Sequence, residues 1–183
     1  MSRAILSDSL TQFHNTFIGI DPGLTGAIAF LGPDQECVID IPLLSDRRVD
    51  AYALSIRIQA INKKYRYCCL EHSQAMPGQG VVSMFNYGVT YGIIFGVLVY
   101  TKTYFIEIAP RKWKKEFGLL SDKKAGIIKK KEDSCIIAAT LFPKLKEKLI
   151  IKGKKGYIYK HGRADALLIA AYCKGVYVNQ TTN

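Results

Sequence analysis

Residues 16–30 read TFIGIDPGLTGAIAF. An apolar run climbs into one carboxylate, Asp21, and a second apolar run leaves after Pro22, Gly23, Thr25 and Gly26. That pattern predicts a strand, a tight turn and a returning strand, with the acid at the bend. Asp21 follows Ile18 and Ile20 with no polar neighbour to solvate it. An ionised carboxylate is costly there unless a cation or hydrogen-bond donors meet it. Two readings stay open: an acid serving a metal or phosphate site, and a turn Asp that bonds its own backbone.

The strands accumulate around this hairpin. Residues 26–32 return from the turn, and residues 36–43 (ECVIDIPL) form a third strand that Pro42 ends. Residues 47–64 change to helical periodicity. Residues 65–71 (YRYCCLE) repeat the opening pattern, a buried strand closed by an acid, Glu71. Residues 80–100 are long, apolar and helix-like. Ser83, Asn86 and Thr90 interrupt them, which argues against a membrane span. Gly88, Gly92 and Gly96 share one face of this helix, suited either to packing on the sheet or to a helix–helix dimer contact. Residues 103–109 give a fifth strand before Pro110. Residues 123–141 are expected to be a helix capped by Ser121 or Asp122, residues 144–160 an exposed, mobile basic connector, and residues 164–178 a buried final helix. Three strands in succession followed by β-α-β-α units predict an α/β fold. Its mixed five-stranded sheet combines a three-strand antiparallel meander with parallel strands, flanked by helices.

The 183 residues suffice for one domain, assigned to residues 16–179, with polar ends at 1–15 and 180–183. The five cysteines form no C-x-x-C pair and lie mostly in apolar runs, as reduced core thiols do. The first fifteen residues hold no apolar signal segment, so an intracellular setting is expected, with an organelle leader left open. The net charge of +11 is concentrated: residues 111–163 hold seventeen Lys and Arg against five Asp and Glu, and the rest holds nine against ten. A near-neutral body with one basic region suits nucleic acid better than a membrane.

Asp21, Glu71 and Asp165 each stand at the edge of an apolar element, 50 and 94 residues apart. If the first and fourth strands are parallel neighbours, their acids share one rim of the sheet. Three clustered carboxylates call for a cation, and hard oxygen donors select Mg²⁺, with Mn²⁺ as substitute. Two such ions can drive in-line displacement at a phosphodiester.

The segments GIDPGLTGAIA, LEHSQAMPGQGVVSMFNYG, IAPRKWKK and HGRADALLIAAY resemble the RuvC-type Holliday junction resolvases of the RNase H-like superfamily, in its compact phage and chloroplast branch. The resemblance implies a homodimeric, Mg²⁺-dependent endonuclease that cuts four-way DNA junctions by symmetric nicks. It matches Asp21, Glu71 and Asp165 to the family's metal-binding acids. Where most relatives carry a fourth carboxylate, this chain has His161, a metal ligand or a base near the attacking water. Lys114 matches a lysine beside the scissile phosphate. Gln74, Met76 and Gln79, in the loop after Glu71, are placed to read or unstack bases, and Arg111, Lys112, Lys115, Lys123 and Arg163 to grip DNA. Trp113 is read as packing, and Asp40 and Glu107 as structural. Two alternatives stay open. One is a catalytically silent junction binder, motivated by His161. The other is an actin- or sugar-kinase-like nucleotide site, which shares G-I-D-x-G-x-T-G but needs a second lobe.

Overall fold

The computed structural model describes residues 15–181 apart from 34, 63–64, 73–77, 79, 122–123 and 125, and the side chains of residues 15–178 within that range. Five strands form one mixed sheet: β1 (Thr16–Asp21), β2 (Ala27–Leu31), β3 (Glu36–Asp40), β4 (Arg66–Glu71) and β5 (Tyr104–Ile108). Their order is β3-β2-β1-β4-β5. β1 and β2, and β2 and β3, pair antiparallel; β1 and β4, and β4 and β5, pair parallel. The anticipated meander plus parallel strands is therefore the architecture found.

Period-two alternation sorts the side chains onto two faces. Ile18, Ile20, Ile28, Phe30, Cys68 and Leu70 pack with α1 (Ala51–Gln59) and α2 (Val81–Tyr100). Phe17, Ala27, Ala29 and Cys69 face the other layer. That layer holds α3 (Pro110–Glu116), α4 (Glu132–Leu141), α5 (Lys146–Leu149) and α6 (His161–Thr181). α6 forms the middle of this layer, and Ala164, Ala166, Leu167, Leu168, Ile169, Ala170 and Cys173 are fully buried. Across the sheet, buried Arg66 of β4 donates from Nη1 to the Ile58 carbonyl at 2.8 Å and from Nη2 to the Thr101 carbonyl at 2.7 Å. It thereby satisfies carbonyls at the ends of α1 and α2.

Four expectations need correction. The helix of residues 47–64 shortens to α1, whose N-cap Asp50 accepts from the Ala53 amide at 2.9 Å. The helix expected from residue 123 begins at Glu132, and Ser121 Oγ accepts the Lys129 amide in the preceding loop rather than capping a helix. The connector at 144–160 is ordered. It contains a 3₁₀ turn (Pro143–Leu145), α5, and a hairpin of β6 (Ile150–Gly153) and β7 (Gly156–Tyr159). The hairpin is anchored because Ile150 and Tyr159 pack against the core.

The fourth correction concerns α2. Thr90, Ile94, Val97 and Leu98 face the sheet, while a Cβ on Gly88, Gly92 or Gly96 would meet nothing within 4 Å. The glycine row points outward and does not pack on the sheet, and Val81, Val82, Phe85, Val99 and Tyr100 are also exposed. By length and composition α2 reaches what a membrane crossing needs, despite its polar interruptions. It nevertheless lies along the sheet through its buried residues. Replacing Gly92 by Ala is expected to stabilise the isolated protomer by about 0.5–1 kcal/mol, because a helix-interior glycine loses backbone entropy and this one has free space. Thermal denaturation at low protein concentration checks this, and a destabilised variant would contradict it.

Candidate active site

β1 and β4 run side by side with Ile20 opposite Leu70, so Asp21 and Glu71, one residue further on, end adjacent parallel strands on the same rim. Both point to the α6 face, in step with Phe17 and Gly19 on β1 and Tyr67 and Cys69 on β4. α6 crosses beneath and brings Asp165 from its first turns. The three acids nominated by the sequence are thus gathered at one end of the sheet.

Their electrostatics are unfavourable as they stand. Burial pushes Asp21 up to about 7, the charges of Glu71 and Asp165 add to this, and Lys114 opposes them. Asp165 is also raised, by burial, against the pull of a Ser134 hydrogen bond and the charges of Lys114 and His161. Asp165 Oδ1 is buried and meets no hydrogen-bond donor. Among the described residues no three His, Cys, Asp or Glu side chains stand close enough to enclose an ion without adjustment. Glu71 Oε2 accepts a 2.6 Å hydrogen bond from Trp113 Nε1. The donor chemistry nevertheless suits a hard divalent cation: the Asp21 and Asp165 carboxylates are both desolvated, and one Asp165 oxygen is orphaned.

His161 opens α6 one turn before Asp165, so the two share a helix face. Its Nδ1 lies 3.1 Å from the Lys131 carbonyl oxygen and 3.7 Å from Cys135 Sγ. A carbonyl can only accept, so Nδ1 is the donor in that contact. Burial, followed by the charge of Asp165, pushes the Cys135 thiol up to about 11 and keeps it protonated. Gly162 lets this end of the helix close on the β1–β2 turn. A Cβ there would lie 2.3 Å from the Thr25 carbonyl oxygen and 3.2 Å from Asp21 Oδ2.

Lys114 on α3 places Nζ 5.2 Å from the centre of the Trp113 ring, a cation–π contact. It lines a cavity of about 460 Å³ with Lys129, Lys130, Lys131, His161 and Asp165. Four lysines and one acid thus line a single cleft, which makes it strongly basic. On the same short helix Arg111, Lys112 and Lys115 are exposed while Trp113 is fully buried.

Arg163 behaves differently from the other basic residues nominated for DNA. Its Nε and Nη2 grip Asp40 at 2.6 and 2.7 Å, and Nη1 donates to the Lys148 carbonyl at 3.1 Å. This fork joins α6 to the end of β3 and to α5, and its hydrogen bond holds the Asp40 carboxyl below the usual range. Glu107 accepts from the Tyr91 hydroxyl and lies 3.8 Å from His72 Nδ1, on the sheet face away from α6. Gln74, Met76, Gln79 and Lys123 lie outside the described residues. Sequence reasoning missed the Trp113–Glu71 bond. The only signal for it was a tryptophan set among charged residues on a short helix.

The order β3-β2-β1-β4-β5, with helices on both faces of the mixed sheet, is an α/β fold like that of solved RuvC structures. Two of the solved structures it resembles are RuvC from Thermus thermophilus. In complex with a Holliday junction substrate, that protein matches with a TM-score of 0.53 and 14% identity over 93% of this chain and 98% of that one. On its own it matches with a TM-score of 0.51 and 14% identity over 91% and 96%. The yeast mitochondrial Holliday junction resolvase Ydc2 gives 0.50 and 15% over 96% and 90%. No protein-family model and no curated protein matches the chain.

Proposed function

We propose that this protein is a divalent-metal-dependent endonuclease that resolves four-way DNA junctions by symmetric phosphodiester hydrolysis. The observation that carries the reading is the desolvated pair Asp21 and Asp165, of which Asp165 lines a cavity ringed by lysines. Acids so placed suit a cation, and a cation between acids and lysines suits a phosphate. The resolvases with the same fold lend this support.

Asp21, Glu71 and Asp165 would hold Mg²⁺ or Mn²⁺, with His161, which lines the same cleft as Asp165, as a further ligand or as the base. A bound cation supplies Lewis acidity and lowers the pKa of water at neutral pH. Lys114 neutralises charge building on the phosphate oxygens, and Lys129, Lys130 and Lys131 hold the DNA strand in the cleft. Gly162 keeps the acid end of β1 against α6. Arg111, Lys112 and Lys115 add backbone contacts, which predicts steep salt dependence. Gln74, Met76, Gln79 and Lys123 are proposed to meet the junction from the neighbouring loops, and the protein is expected to work inside the cell, on DNA. Arg163 serves chiefly to set α6 through Asp40.

A four-way junction needs two matched cuts, so a two-fold dimer is proposed. The exposed α2 face, with Phe85, Val99, Tyr100 and the outward glycines, is its candidate interface.

The test uses a mobile four-way junction, with and without Mg²⁺ or Mn²⁺, and Asp21→Asn. Paired symmetric nicks that need the ion and vanish in the variant, with junction binding retained, are the expected result. Equal cutting of linear duplex, or binding without nicking under any divalent ion, would overturn it; the latter would mark a silent junction binder.

A further inference from the structure

Trp113 is the one tryptophan in the chain, and no part of it reaches solvent. It sits between two groups of the proposed cleft. Its Nε1–H donates to Glu71 Oε2 at 2.6 Å, and Lys114 Nζ stands over its ring at 5.2 Å. An indole N–H can only donate, and a carboxyl oxygen accepts, so this is a short bond of fixed direction in a part-buried place. The register of β4 and β5 explains the meeting. Glu71 pairs with Ile108, and Ala109 and Pro110 turn the chain from β5 straight into α3. The first turn of α3 therefore brings residue 113 back under the end of β4. The exposed neighbours Arg111, Lys112 and Lys115 make none of these contacts.

We propose that Trp113 is a positioning residue for the ion site. Its N–H fixes one oxygen of Glu71, and its ring face fixes the approach of Lys114, so one rigid side chain sets both the acid and the ammonium at the cleft. The inference rests on the metal-dependent reading given above, and it makes the single tryptophan a built-in reporter of that site. Partners that orient a metal's carboxylate ligands typically change metal affinity 10- to 100-fold when lost.

The test has two arms. In the first, Mg²⁺ is titrated into the protein without DNA while tryptophan emission is recorded. An ion binding at Glu71 changes the charge beside the indole N–H. A saturable emission change is therefore expected in the wild type and is expected to be lost in Glu71→Gln. An emission that does not respond to Mg²⁺ overturns the proposal. In the second arm, Trp113→Phe keeps an aromatic face for Lys114 and removes only the N–H donor and some volume. Folding is checked by circular dichroism. The Mg²⁺ concentration for half-maximal junction cutting is expected to rise about 10- to 100-fold, with most of the maximal rate recovered at saturating Mg²⁺. A folded variant with unchanged Mg²⁺ dependence overturns the proposal. Should that variant fail to fold, the wild-type emission titration decides alone. The two levels separate cleanly: cutting with silent emission removes the role of Trp113 and leaves the nuclease, whereas responsive emission without cutting leaves the ion site and removes the nuclease.

Discussion

Asp21→Asn is expected to abolish junction cutting and, in the absence of divalent ions, to make the protein more stable. The first effect is the loss of a carboxylate from the centre of the proposed ion site. A fall of at least about 10²- to 10³-fold is expected, the scale seen when one preorganised electrostatic group is removed from a water-poor site. The second effect follows from linkage. Burial, with Glu71 and Asp165 adding, raises Asp21 from 3.8 to about 7 in the folded chain. Between those values the folded state binds more protons than the unfolded one, so stability falls as pH rises from about 4 to about 7 and levels off above. Asparagine has no proton to lose and is free of this penalty. With EDTA present the variant should gain roughly 2–4 kcal/mol at pH 8, or about 5–10 °C in Tm for a chain of this size, and roughly a third of that at pH 5. Adding Mg²⁺ should then narrow the difference, because the ion binds and stabilises the wild type preferentially. A variant that melts at or below the wild type at pH 8 in EDTA would contradict the desolvated, crowded Asp21 on which the functional reading depends.

The parts of this fold legible in the sequence were those whose signal is local. The strand that climbs into Asp21 and the strand that ends at Glu71 announce themselves by apolar runs closed by an acid. Their parallel pairing then follows from the intervening helix. The β6–β7 hairpin was hidden by its lysines. Lys154 and Lys155 form a two-residue turn between Gly153 and Gly156, with Ile150, Ile151, Tyr157 and Tyr159 supplying the strands. A basic stretch reads as exposed connector unless that aromatic and β-branched flanking is weighed first. The start of α4 was misplaced because residues 126–131 carry helix-forming lysines but form a loop, where Lys131 offers its carbonyl to His161. Contacts that span the whole chain left no local trace. Asp40 and Arg163 are 123 residues apart, and the one-hydrogen-bond link from Trp113 to Glu71 spans 42. The three carboxylates that the fold gathers at one end of the sheet stand out in the sequence, but the contacts that orient them do not.

Gly19→Ala is expected to be among the most damaging single methyl groups that could be added to this protein. Gly19 lies mid-strand in β1, under the middle of α6. A Cβ there would fall 2.2 Å from the Ala166 carbonyl oxygen, 2.2 Å from the Ala170 amide nitrogen and 2.9 Å from Ala170 Cα. These are backbone atoms of a helix that is buried along this side, and no rotamer change can move them. Relief requires α6 to lift from the sheet, and Leu167, Leu168 and Ile169, all fully buried, would lose packing with it. The cost should exceed about 4 kcal/mol, at the extreme of single substitutions, out of a total of about 5–15 kcal/mol. In urea the midpoint should fall by about 2 M, if the variant folds at all. The contrast with Gly92→Ala on α2 is a test within one protein: the same chemical change, opposite signs, decided by whether a helix backbone occupies the space. Because α6 also carries His161 and Asp165, a surviving Gly19→Ala chain should cut junctions poorly even where it remains folded. A displacement of about 1 Å in a catalytic group is enough to cost about 10²-fold. A Gly19→Ala variant whose urea midpoint matches the wild type would mean that α6 does not rest on β1 as described, and that the acids at Asp21 and Asp165 are not held at one site.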